Sequence, residues 1–74
     1  MNIDDVNEFI KRKLEGKKVA YASELPIDNE KEMILLFGAA LLSSDKKAIY
    51  KVDVSDSKFK CLNRTMTDFK IEIK

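Results

Sequence analysis

The 74-residue chain has no histidine, one cysteine, one proline and two glycines. Each shortage removes a class of function. With no histidine and Cys61 as the only thiol, the usual ligand sets for zinc cannot be assembled within one chain. The same shortage removes the ordinary thiol–base pair of cysteine catalysis. A lone cysteine forms no internal disulfide, which fits a reducing compartment. Basic and acidic residues number 14 and 13, a net charge of +1, so the basic surplus that marks most nucleic-acid binders is missing. The N-terminus "MNIDDVNEF" is acidic and mixed, unlike a signal peptide. The longest uncharged apolar run, "MILLFGAALL" at 33–42, is too short to cross a membrane, which takes roughly 20 apolar residues. The expectation is therefore a cytoplasmic chain with no membrane partner, no metal and no cofactor. Its length allows one domain, residues 1–74, and too little core to enclose a deep pocket for a small-molecule substrate.

What the chain does have is pattern. Ile3, Val6, Ile10 and Leu14 recur at helical spacing with Phe9 widening the stripe, which predicts an amphipathic helix over 3–15. Asn2 caps its start, Asp4 and Asp5 suit the positive end of its dipole, and Lys11, Arg12 and Lys13 suit the negative end. Gly16 ends it as a left-handed cap. A short extended piece around Val19 and Tyr21 follows, then a brief turn at Ser23 that Pro26 keeps short. A second helix is expected over 29–44, with Asn29 and Glu32 matching a capping box in outline. Beyond it, "AIYKVDV" alternates as a strand, "SDSK" reads as a turn and "FKCL" as the return strand of a hairpin. "DFKIEIK" closes the chain with Phe69, Ile71 and Ile73 on one face. The pattern predicts a small α+β domain of winged-helix type: two main helices, then an antiparallel sheet of two or three strands, with "SDSK" as the tip of the wing.

The run 33–42 is the strongest functional signal. A helix that reads a DNA groove needs Arg, Lys, Asn, Gln or Ser on its outward face, and this one has none between Met33 and Leu42. A domain this small has few layers with which to cover a helix apolar on every side. One stripe is therefore expected to face the core and another a partner, with Met33, Phe37 and Leu41 as anchors. The partner is another protein chain or a second copy of this one. The alternative is a DNA-binding regulator that contacts phosphates through Lys58 and Lys60 on the wing and through Lys11, Arg12, Lys17 and Lys18, although Asp53 and Asp56 beside the wing lysines oppose it. The acidic residues Asp4, Asp5, Glu8, Asp28, Glu30 and Glu32 match no calcium-loop spacing and read as helix N-terminal charges. Cys61 reads as a small buried hydrophobe. "NRT" at 63–65 fits a glycosylation sequon, without a secretory signal to give it meaning.

The apolar "ILLFGAALL" helix, the Tyr50 strand and the closing "DFKIEIK" together resemble the final winged-helix segment of JetA-type subunits, kleisin-like proteins of bacterial Wadjet plasmid-defence systems. The likeness covers roughly the last half of the chain. It implies docking onto a condensin-like ATPase head rather than enzymatic work. The reading that results is a non-catalytic protein-interaction module using the helix at 29–44 and the strands beside it.

Overall fold

The computed structural model describes residues 2–74. Helix α1 spans Ile3–Leu14, strand β1 Val19–Tyr21, a 3-10 turn Ala22–Glu24, helix α2 Glu30–Leu41, strand β2 Tyr50–Cys61 and strand β3 Arg64–Ile73. The strands form one antiparallel sheet in the order β1-β3-β2. The α+β class and the two-helix-plus-sheet layout match the expectation from sequence.

Both helices start where a polar side chain replaces a missing backbone acceptor. The Asp5 amide donates to Asn2 Oδ1 at 2.9 Å, and the Glu32 amide to Asn29 Oδ1 at 2.9 Å. The second half of the expected capping box differs. Glu32 does not turn back to Asn29; its Oε1 accepts from the Asp28 amide at 3.0 Å and lies 2.8 Å from Lys13 Nζ. Helix α1 ends at Leu14, one residue short of the expected 15, with Glu15 itself the left-handed cap (φ 51°, ψ 46°) and Gly16 following at φ 85°. Helix α2 stops at Leu41, earlier than the expected 44, and its orphan carbonyls are taken up locally. The Leu42 amide donates to Gly38, the Ser43 hydroxyl to Ala40 at 3.1 Å, and the Tyr50 hydroxyl to Ala39 at 2.6 Å.

The core lies between the inner stripe of α1, the inner stripe of α2 and one face of the sheet. Val6, Phe9, Ile10, Leu14, Leu36, Tyr50 and Ile71 are its largest fully buried side chains. Asn7 joins α1 to the segment between α2 and β2: its Nδ2 donates to the Lys47 carbonyl at 2.8 Å and its Oδ1 accepts from the Ile49 amide at 3.1 Å.

The hairpin departs from expectation. "SDSK" is not its tip. Val54 pairs with Phe69 and Lys58 with Thr67, so Ser55, Asp56 and Ser57 stand opposite Asp68 alone, in a bulge inside a continuous β2. "FKCL" continues the same strand, and the reversal comes at Leu62 and Asn63, between the paired Cys61 and Arg64. Both turn residues have positive φ, 49° and 70°, as a two-residue turn of the I′ type requires. Opposite the bulge, Asp68 and Phe69 are buried in succession on β3. The Asp68 carboxylate accepts from the Ser23 amide (3.0 Å), the Ser23 hydroxyl (2.7 Å) and the Phe69 amide (2.9 Å). That carboxylate pins the 3-10 turn to the sheet.

Candidate functional site

Helix α2 packs Leu36 and Ala39 into the core and leaves Ile34, Phe37 and Leu41 exposed by 49%, 56% and 67%. These three follow i, i+3, i+7 spacing, so they form one ridge along the outer side of the helix. The sequence offered Met33, Phe37 and Leu41. Phe37 and Leu41 lie in the ridge, whereas Met33, 7% exposed, lies in the floor beside it, and Ile34 is the member the spacing alone did not select. The three anchors still come together, because Met33, Phe37 and Leu41 line one hollow of about 300 Å³ whose far wall is Arg64, Thr65 and Met66 at the start of β3.

A second hollow of about 300 Å³ lies on the other side of Phe37, between Ala40 and the sheet residues Val54, Thr67 and Phe69. Phe37, Thr65 and Met66 line both. The two hollows therefore form one apolar trough between α2 and the hairpin, divided by the Phe37 ring. Val54, 75% exposed, extends the apolar surface onto β2. Arg64 is the single charged residue in the lining of either hollow.

Both ends of α2 are tied to the rest of the fold. The Tyr50 hydroxyl fixes the last turn of α2 from the core side, and its own ionisation is pushed up to about 12 by burial and by the Asp45 charge. The N-terminal turn of α2 is held to α1 through Glu32. Lys13 Nζ, beside Glu32 Oε1, also donates to the Pro26 carbonyl at 2.6 Å, and Arg12 lies 3.3 Å from Glu32 Oε2. Lys13, then the Asp28 amide, hold the Glu32 carboxyl below its ordinary range. Cys61 is buried at the end of β2, and burial pushes its thiol up, which suppresses its reactivity.

The residues of the DNA-binding alternative do not form one surface. Arg12 is engaged with Glu32. Lys17 and Lys18 precede β1, where the Ile73 amide donates to the Lys18 carbonyl, at the end of the sheet away from the turn. Lys58 and Lys60 pair with Thr67 and Thr65 near the hairpin tip. Thr65 and Ile73 lie eight positions apart along β3, which is about 25 Å at strand rise. Lys11 is exposed on α1. Among the described residues no group of three or more Cys, Asp or Glu side chains is placed to hold a metal ion, and no helix is long and apolar enough to cross a membrane.

Fold and surface together define a small α+β domain whose most distinctive surface is an apolar trough between its second helix and its hairpin. The chain belongs to the family of the Wadjet protein JetA, whose family model matches residues 1–74. Comparison with curated proteins and comparison with solved structures give no match.

Proposed function

We propose that this chain is a non-catalytic docking module of winged-helix type within a Wadjet complex, and that the trough along α2 and the hairpin is the surface its protein partner covers. The single observation that carries this reading is the exposed ridge of Ile34, Phe37 and Leu41 beside two apolar hollows. Covering each of these side chains contributes up to about 1.5–3 kcal/mol, enough in combination for a specific interface. The winged-helix type is supported by the element order, by the sheet order β1-β3-β2 and by a long hairpin after the second helix. Membership of the JetA family supports a place among protein subunits. The condensin-like ATPase head of the same system is the partner that the sequence resemblance favours.

Co-expression with that ATPase tests the reading. The wild-type chain should co-purify with it, and Leu41→Asp should fold and be lost from the complex. Retention of Leu41→Asp at wild-type yield would place the interface elsewhere.

A further inference from the structure

Charge along the rim of the trough is mixed, but the lining itself holds a single charge. Arg64 lines the hollow beside Ile34 and Leu41, and among the described residues it has no carboxylate partner. The other charges of the hairpin are of both signs, with Asp53 and Asp56 before Lys58 and Lys60, and none of them lines either hollow. Glu30 and Lys31, both exposed, lie one turn before Ile34 on α2 and offset one another. The carboxylates that face inward near this region are occupied: Glu32 by Lys13 and Arg12, and Asp68 by Ser23 and Phe69. The shape is equally specific. A ridge at i, i+3, i+7 flanked by hollows is the complement of a second helical ridge. Gly38 and Ala40 lie beside Phe37 in the two linings, where small side chains allow close approach.

We infer that the trough takes an acidic amphipathic helix of the partner, with successive apolar side chains seated on either side of Phe37 and a flanking carboxylate on Arg64. This inference rests on the docking reading above and adds the partner's chemistry. An apolar ridge matches hollows that offer no hydrogen-bonding partner other than Arg64 and the two threonines. A carboxylate answers the one guanidinium, for which a two-pronged pairing is available. A nucleic acid would cover Phe37, Ile34 and Leu41 with phosphates and leave them unpaired with anything apolar.

The probe is a displayed library of helix-length peptides with a fixed leucine ridge and Glu, Lys or Gln at the flanking positions. It is panned on the full chain and counter-selected on Phe37→Asp, with Leu41→Asp in reserve and circular dichroism to establish folding. Peptides with Glu flanks should be enriched. A synthetic member should bind the wild-type chain roughly tenfold more tightly than Arg64→Glu, and its Lys counterpart should show the reverse order. Enrichment of Lys or Gln flanks, or indifference to Arg64→Glu, overturns the acidic partner and leaves the docking reading standing. Absence of any Phe37-dependent enrichment overturns both, and retention of short duplex DNA in its place would identify the competing class of partner.

Discussion

The Tyr50 hydroxyl donates to the Ala39 carbonyl at 2.6 Å, so the first residue of β2 caps the last turn of α2 from inside the core. Ala39 is one of the four carbonyls that a helix leaves without an internal partner, and Tyr50 is fully buried where it meets it. One hydrogen bond thus satisfies a helix end and fixes which side of α2 faces outward. Tyr50→Phe should cost about 1–2 kcal/mol in a denaturant titration, since it strands a buried carbonyl while keeping the ring. It should loosen the trough without removing any residue that lines it.

The same tyrosine predicts an alkaline limb. Its ionisation lies at about 12 in the fold against an ordinary 10.0, because burial and the Asp45 charge disfavour the phenolate. A group whose folded pKa is raised stabilises the fold fully below its unfolded pKa and loses that contribution as pH rises through the folded one. Stability should therefore fall between pH 10 and about 12, by roughly 2–3 kcal/mol in total. Tyr50→Phe should flatten that limb, and urea midpoints across the range check it.

Glu32 predicts the acid limb. Lys13, the Asp28 amide and Arg12 favour its charged form and hold its carboxyl below the ordinary 4.5. A depressed carboxylate contributes above its unfolded pKa and is lost as pH falls through the folded value. Stability should decline as pH drops below about 4.5, and Glu32→Gln should weaken that dependence while lowering stability at neutral pH. Thermal melts of the two proteins at neutral and acid pH decide it.

Asp68 carries the 3-10 turn. Its buried carboxylate accepts three hydrogen bonds from Ser23 and Phe69. Asp68→Ala should cost about 2–4 kcal/mol, because it orphans two amides and a hydroxyl. Ser23→Ala, which removes one donor, should cost about 1 kcal/mol. Chemical denaturation of both variants measures the difference.

The turn at Leu62 and Asn63 is strained by its first residue. Leucine at φ 49° meets the steric penalty of the left-handed region, whereas asparagine at φ 70° tolerates it. Replacing the pair with Asn-Gly should stabilise the protein by about 1 kcal/mol with no change in partner affinity, as a shift in the melting curve would record. A loss of affinity would instead give Leu62 a part in docking.

Much of this was legible from the sequence, and what was missed has identifiable physical causes. The stripes of α1, the caps at Asn2 and Asn29 and the alternation of Phe69, Ile71 and Ile73 follow directly from local chemistry. "SDSK" misled because Ser and Asp serve a bulge as readily as a turn: the Ser57 amide bonds Ser55 Oγ at 3.0 Å without reversing the chain. The true turn hid behind Leu62, which is a poor turn residue. The burial of Asp68 gave no local signal, because its partner Ser23 in the 3-10 turn lies 45 residues away. In an apolar helix, Met33 and Ile34 fit the ridge equally well by spacing. The packing of α2 against α1 and the sheet decides between them, and that is a long-range fact. Asn7 gave no signal, because its partners lie 40 and 42 residues away.

Hydrogen–deuterium exchange on the chain, free and mixed with the condensin-like ATPase proposed as its partner, tests the docking surface most directly. The account predicts that slowed exchange on binding concentrates in the outer turns of α2 from Ile34 to Leu41 and at Arg64–Met66, and that Phe37→Asp abolishes it. Unchanged exchange in those two segments, with protection appearing on the outer face of α1 or along β1, would contradict it.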